Sequence, residues 1–443
     1  MTCARRSVAW VTSEMPQFLL DVAVLLDGES AALLVLGQSG AFMIPHMRQF
    51  YMFPERFSHL PAYAFPRLRT LLDGVEPGGD PIQMTIGEPK HAFPAWVTDV
   101  ITQNAAGFNA YPPNEGSVGL RSAFCDWAGR RYGVSLDPER NVMPLNGTRE
   151  GLYNAVMALC PEQKGGGKPT ILMPNPFYQV YMVASLSAEA EPVFANATLE
   201  TGHLPDFAGL LEEQLNRAVA AYICSPANPQ GAVASEAYWS DLLDLAEKYD
   251  FRIFADECYS AIYRDTPPTG ILQVAKAKGA DPDRVVAFHS LSKRSNLPGL
   301  RSGMITSGPN TIAAARQLRT YAGSPLPLPL QAAAQAVWAD EAHVVENRRL
   351  YAEKYEMADR ILGNVPGYAS PEAGFFLWLP VENGEEATMR LWTETGVKVL
   401  PGAYLAQDAN GINPGDHYIR AALVAPKEET ETALTKLRAC LYE

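Results

Sequence analysis

The feature that most constrains this chain is a rhythm. From residue 93 onward, short apolar runs alternate with helical stretches. The runs fall at Thr170–Met173, Ala221–Cys224, Phe251–Ala255, Val285–Phe288 and Met304–Thr306, with amphipathic stretches such as Gly147–Leu159 and Glu236–Lys248 between them. Apolar runs without polar alternation are buried on both faces, so the pattern predicts an α/β fold: a mainly parallel sheet flanked by helices. From about Gln331 the rhythm changes. Helical periodicity continues through Arg360, strand-like segments follow at Phe375–Leu379 and Tyr418–Leu423, and an amphipathic helix starts at Glu428. We therefore expect a large domain over residues 93–325, a smaller α+β domain built from 52–92 and 326–443, and an N-terminal extension over 1–51.

The extension does not read as a membrane element. Residues 18–36 are rich in Leu, Val and Ala, but Asp21, Asp27 and Glu29 interrupt them. A span needs roughly 20 nearly uncharged apolar residues. Arg5 and Arg6 precede the run, yet the apolar stretch breaks too early for a signal peptide. Two readings stay open: an extra packed element, or an upstream start chosen where Met52 is the true one.

Charge and cysteine usage narrow the function. The net charge is −13, from 36 basic against 49 acidic residues. That balance disfavours nucleic acid as a partner, and it means that an anionic substrate must be held by a few local arginines. Cys3, Cys125, Cys160, Cys224, Cys258 and Cys440 form no CxxC pair, and the histidines show no ligand spacing. No metal is expected, and the cysteines read as free thiols of a reducing cytoplasm.

The chemistry is legible from position. In an open α/β sheet, ligands bind beyond the carboxyl ends of the strands. Three polar signals fall at such ends: Ser225 to Gly231 with Asn228 among them, Asp256-Glu257-Cys258-Tyr259, and His289-Ser290-Leu291-Ser292-Lys293. A lone Asp there is usually a turn residue and a lone Lys is usually solvated; three signals at one edge are harder to dismiss. Gly147-Thr148-Arg149-Glu150 opens a helix, and helix N-termini suit phosphate. Ser290, Ser292 and Arg301 add two hydroxyls and a guanidinium fork. Together, a carboxylate, a lysine and a phosphate cradle suggest a phosphorylated aldehyde with a basic ring nitrogen.

Ser290-Leu291-Ser292-Lys293 followed by Gly299-Leu300-Arg301-Ser302-Gly303 resembles the cofactor-lysine signature of class I/II aminotransferases, the fold-type-I pyridoxal-phosphate enzymes. Other motifs follow in the family's order: Met84 to Pro89, Tyr111-Pro112-Pro113, Pro176-Phe177-Tyr178, Gly374 to Trp378, Pro401-Gly402 and Tyr418-Ile419-Arg420. The resemblance runs from about residue 55 to the C-terminus. It implies that Lys293 binds the cofactor covalently and shuttles the substrate's proton, its pKa lowered by burial and by Arg294 and Arg301 nearby. Asp256 would pair with the ring nitrogen, and Asn228 and Tyr259 with the ring oxygen. Tyr178 would stack on the ring, while Gly147, Thr148, Arg149, Ser290, Ser292 and Arg301 would cradle the phosphate. Tyr111 would reach the neighbouring subunit's phosphate, which implies a homodimer with shared sites. Arg420 would grip the substrate carboxylate, helped by the Gly87 N–H and Asn228. Cys258 is read as packing beneath its strand.

The same constellation serves carbon–sulfur lyases, and a cofactor-sensing regulator is a further alternative, although no DNA-binding pattern occupies residues 1–50. The run from Ser292 to Arg301, with Leu60-Pro61-Ala62-Tyr63 and Pro174 to Tyr178, is similar to succinyldiaminopimelate aminotransferases of lysine synthesis. This implies glutamate and 2-oxoglutarate as the amino donor and its product, with Arg67 and Arg294 as further contacts to a substrate bearing several carboxylates.

Overall fold

Seven strands build the central sheet: β1 Val142–Leu145, β2 Thr170–Asn175, β3 Glu191–Asn196, β4 Ala218–Cys224, β5 Arg252–Asp256, β6 Val285–Ser290 and β7 Gly303–Thr306. In this computed structural model the described residues are 54–58 and 60–443, together with the backbone of four strands nearer the N-terminus. The sheet order is β1-β7-β6-β5-β4-β2-β3. Only β7 runs against its neighbours; the other pairs are parallel.

Alternation along the strands explains why no polar face was visible in the sequence. Ile253 and Ala255 point into a core shared with Phe124, Trp127 and Trp239, whereas Phe254 between them joins Leu152, Tyr181 and Phe288 on the other face. Both faces are roofed by helices, so successive side chains are apolar whichever way they point. β1 and β3 escaped the sequence pattern. Each is an edge strand carrying a proline, Pro144 and Pro192. Proline lacks the N–H that a strand ladder uses and interrupts the apolar run by which a pattern search finds a strand; in central β2 the proline, Pro174, stands only at the next-to-last position.

The expected helix from Gln331 through Arg360 is two helices, Leu328–Ala339 and Ala342–Leu362. Asp340 makes the break by leaving helical geometry and accepting the His343 N–H at 3.1 Å. The first of these helices sends Ala333, Ala334, Val337 and Trp338 into the core with Phe124 and Trp127. The second packs Tyr351, Tyr355 and Leu362 against a smaller sheet.

That sheet contains β8 Phe376–Pro380, β9 Leu400–Pro401 and β10 Tyr418–Ala422, antiparallel in the order β8-β10-β9. Leu377, Leu379, Ile419 and Ala421 face a core closed by Leu434 and Leu437 of the C-terminal helix Lys427–Tyr442. Beside it, Ile82–Gln83 pairs in parallel with Val397–Lys398, and the Ala422 N–H donates to the Met84 carbonyl at 2.7 Å. This stitching carries the segment after Gln83 to the site.

The chain divides into two compact units, residues 1–59 and 60–443. In the first, strands at Val8–Trp10, Asp21–Asp27, Ser30–Gly37 and Gly40–Ile44 pair antiparallel in chain order. The side chains of the expected 1–51 extension lie outside the described residues, as does Cys3. Among the described residues, no helix is long and apolar enough to cross a membrane, no acid, histidine and cysteine cluster is arranged for a metal, and the other five cysteines are free thiols.

Candidate active site

The register of the central sheet brings three polar signals level. Asp256 at the end of β5 pairs with Cys224 of β4 and Phe288 of β6, so the segments following all three strands open on one edge. After β6, the Ser290 hydroxyl accepts the Ser292 N–H at 3.1 Å and caps a single turn, Leu291–Arg294. That turn delivers Lys293 into the pocket, where its ammonium donates to the Gly87 carbonyl. Burial lowers its pKa to about 8, and the charges of Arg420 and Arg301 push the same way. Arg294 does not contribute as expected. It turns away from the pocket, fully buried over Trp338 and hydrogen-bonded to Glu341 and the Val337 carbonyl. Arg67 is likewise engaged elsewhere, stacked on Tyr404 and 3.9 Å from Glu385.

Asp256 is buried at the pocket floor, and burial raises its pKa. Its Oδ2 accepts the Tyr181 hydroxyl at 2.9 Å and its Oδ1 the Cys258 N–H at 3.3 Å. The Tyr181 ring lies parallel to Tyr222 at 4.2 Å, which fixes its hydroxyl on the carboxylate. Sequence reasoning stopped at Tyr178 and missed Tyr181. The signal was there: three residues further along the helix Gln179–Ser187 a second tyrosine returns to the same face. Glu257, the next residue, leaves the pocket. It accepts the Tyr132 hydroxyl at 2.7 Å and the Ile271 N–H at 2.8 Å and sits 3.1 Å from His289. Burial opposes its charge, but those partners outweigh burial and hold its pKa low.

Gly147, Thr148 and Arg301 form one side of the cavity. Gly147 has a φ of +81°, and a Cβ there would collide with the Arg301 guanidinium. The helix Thr148–Leu159 has no side-chain cap, and its first residue, Thr148, lines the pocket beside Ser290 and Ser292. Arg301 donates to the carbonyls of Pro298 at 2.8 Å and Asn146 at 3.2 Å. Cys258 also lines the cavity, its sulfur 3.1 Å from the Thr148 hydroxyl, rather than packing beneath the strand. The Arg149 Nε donates to the Tyr178 hydroxyl at 2.6 Å.

Arg420 enters from β10. It is buried, donates to Asn228 Oδ1 at 3.0 Å and to the Thr85 carbonyl at 2.7 Å, and lies 4.2 Å over the Phe376 ring. Its Nε has no partner, and burial lowers its pKa to about 10. No acid among the described residues pairs with it. Nearby Gly87 must be glycine, because a Cβ would strike Phe376. Tyr259 is buried edge-on to Phe375 and Phe376 with its side chain on the cavity. Tyr111, also expected at the site, lies away from this cavity with its side chain fully exposed.

A profile describing aminotransferase class I and II matches residues 79–437. The chain belongs to the class I and II aminotransferases. It is 31% identical over 397 residues to the LL-diaminopimelate aminotransferase of Moorella thermoacetica, covering 87% of this chain and 98% of that protein. The enzyme of the same name from a Dehalococcoides mccartyi strain is 30% identical over 392 residues, covering 86% and 97%. Among solved structures, an aminotransferase from Neisseria meningitidis superposes with a TM-score of 0.84 at 38% identity, covering 87% of this chain and 99% of that one. The aminotransferase is thus a pyridoxal-phosphate-dependent transferase of fold type I. Its pocket fits that cofactor on three observations: an uncapped helix N-terminus beside Arg301, a buried carboxylate held by Tyr181, and an amine whose pKa is lowered to about 8.

Proposed function

We propose that this aminotransferase moves an amino group between a diaminopimelate and 2-oxoglutarate in lysine synthesis. Its general activity rests on one observation: Lys293, Asp256 and an acid-free Arg420 converge on a single cavity. The substrate class is supported by the diaminopimelate aminotransferases to which the chain is similar. The motif set from Ser292 to Arg301 favours the N-succinylated form; the names of those relatives favour the LL form.

When bound, pyridoxal phosphate supplies an electron-withdrawing ring that acidifies the α-carbon of an attached amino acid. The remaining work belongs to the chain. Ser290, Ser292, Arg301 and the N–H groups of Thr148 and Arg149 hold the phosphate. Asp256, kept in place by Tyr181, holds the protonated ring nitrogen against the burial that would otherwise neutralise the carboxylate. Asn228 and Tyr259 would hydrogen-bond the ring oxygen, and Tyr178 would cover the ring. The Arg420 fork takes the α-carboxylate with help from the Gly87 N–H, which orients the α-proton toward the Lys293 amine. Lys293 Nζ is placed to take that proton from the α-carbon and would deliver it to the carbon of the cofactor's aldehyde group. In the assembled enzyme, Tyr111 of one subunit reaches the phosphate of the next.

The test mixes holoenzyme with glutamate, LL-diaminopimelate and N-succinyl-LL-diaminopimelate in turn, while following the loss of the lysine-bound cofactor's absorbance. Conversion by glutamate and by one diaminopimelate is expected. If other amino acids convert the cofactor and neither diaminopimelate does, the substrate assignment is wrong. Pyruvate and ammonia release without amino transfer would assign the carbon–sulfur lyase chemistry instead.

A further inference from the structure

The helix Ala342–Leu362 turns a mostly apolar face inward, yet Asn347 on that face is only 3% exposed. Asparagine is a poor helix former, and its amide is costly to bury unless every donor and acceptor is used. Here every one is used. Its Oδ1 accepts the Asn296 Nδ2–H at 3.1 Å and lies 3.0 Å from His91 Nδ1. Its Nδ2 donates to the carbonyls of Lys293 and Arg294, at 3.4 Å each. Reversing the amide would set its NH2 against that of Asn296 and its oxygen against two carbonyls. The oxygen therefore faces His91, which carries its proton on Nδ1.

These bonds join two parts of the site that are far apart in sequence. The single turn Leu291–Arg294 is too short to satisfy its own last carbonyls, and Asn347 supplies the donors. Asn296, in the left-handed region with a φ of +53°, also donates to the Ala92 carbonyl at 3.3 Å. The His91 ring lies 4.6 Å from that of Tyr351, one turn further along the helix. The segment held in this way, His91–Ala92, comes just after Gly87, whose carbonyl accepts the Lys293 amine. Lys293 is thus gripped at both ends by one stretch of chain: its amine by Gly87, its carbonyl by Asn347 and, through it, His91. Neither Asn347 nor His91 lines the cavity.

We propose that Asn347 is a positioning residue. It locks the backbone of Lys293 to the segment bearing Gly87, and so fixes the amine against the α-carbon whose carboxylate the Gly87 N–H helps to hold. This rests on Lys293 as the proton carrier and deepens that reading. Proton transfer is steep in geometry, and a misplacement of about 1 Å costs up to about 10²-fold.

The experiment mixes holoenzyme with saturating L-glutamate, α-protonated or α-deuterated, and follows the loss of the lysine-bound cofactor's absorbance. If a different amino acid converts the wild type, it is used in the same two forms. Asn347→Leu keeps the size of the side chain without its hydrogen bonds. His91→Phe keeps a ring on Tyr351 without the bond to Asn347. Asn347→Leu is expected to slow conversion about 10–100-fold, and His91→Phe about 2–10-fold. In each, the deuterium isotope effect should be at least as large as in the wild type. Slowing with an isotope effect that falls toward unity places the loss in folding or binding and overturns the proposal, as does a wild-type rate in both variants. Should Asn347→Leu fail to retain cofactor, His91→Phe decides between the same outcomes alone. Failure of the proton-carrier reading has its own signature: Lys293→Ala would keep the wild-type rate, which would refute that reading and this inference with it.

Discussion

Lys293 and Arg294 are neighbours in sequence, both basic, the first partly and the second fully buried, and they do opposite things. The amine is turned into the cavity, where no acid among the described residues forms an ion pair with it and burial lowers its pKa to about 8. The guanidinium is turned into the protein, bonded to Glu341 and to backbone carbonyls between two tryptophans. Arginines elsewhere repeat the contrast. Buried Arg121 and Arg319 meet Glu139 at 2.8 Å and Glu150 at 3.0 Å, whereas buried Arg420 meets no acid and keeps a bare Nε. Among the described residues, a buried arginine that serves the fold brings its own counter-charge. One that serves a ligand waits for it.

Substitutions can break this division, and the largest effect belongs to Lys293. Lys293→Ala should lower kcat by at least about 10³-fold, since it removes a positioned proton carrier. Thermal denaturation should show no loss of stability, because the replaced amine was costly to bury. Next comes Arg420→Met, expected to reduce kcat/KM by about 10²–10³-fold through loss of the carboxylate fork. Its counterpart Arg294→Met should do the reverse. Amino-transfer rates should stay within about twofold, while unfolding by denaturant reports a loss of about 2 kcal/mol from the broken hydrogen bonds. If both variants lose activity without losing stability, the division between the two kinds of arginine fails.

Smaller effects sharpen the picture. Tyr181→Phe removes the hydroxyl that steadies Asp256 and should cost about tenfold in kcat/KM together with weaker cofactor retention. The sign follows from burial, which already raises the Asp256 pKa and is then opposed by one donor fewer. For Lys293, the neutral amine is the reactive form. The rate of cofactor capture by apoprotein should therefore climb about tenfold per pH unit below about 8 and level off above it. In Arg420→Met the bend should move to higher pH, because one charge that lowers the Lys293 pKa is gone.

Most of the fold was visible in the sequence because the central strands are apolar on both faces and their ends are polar. β2, β4, β5, β6 and β7 announced themselves; β1 and β3 were masked by Pro144 and Pro192 at the edges. At the site, residues at strand ends and helix starts were legible from order alone, which covers Asp256, Lys293, Thr148 and Asn228. What depends on side-chain direction was not. Nothing in the string Ser292-Lys293-Arg294 says which base faces the cavity, and nothing in Glu150 tells that Arg319 is its partner, because both facts are settled by register across distant segments. Tyr181 and the Arg149–Tyr178 contact belong to the same class.

The two halves of the pocket come from very different stretches of chain. Apart from Tyr111, the residues that would hold the cofactor lie between Gly147 and Arg301, but the grip on the α-carboxylate needs Arg420, the Thr85 carbonyl and the pairing of Ile82–Gln83 with Val397–Lys398. On the ribosome, the earlier half emerges complete while the partners of the segment after Gln83 have not yet been made. Closing that contact is thus among the last acts of synthesis, and a nascent or prematurely terminated chain can carry every cofactor-binding residue and still be unable to hold a substrate.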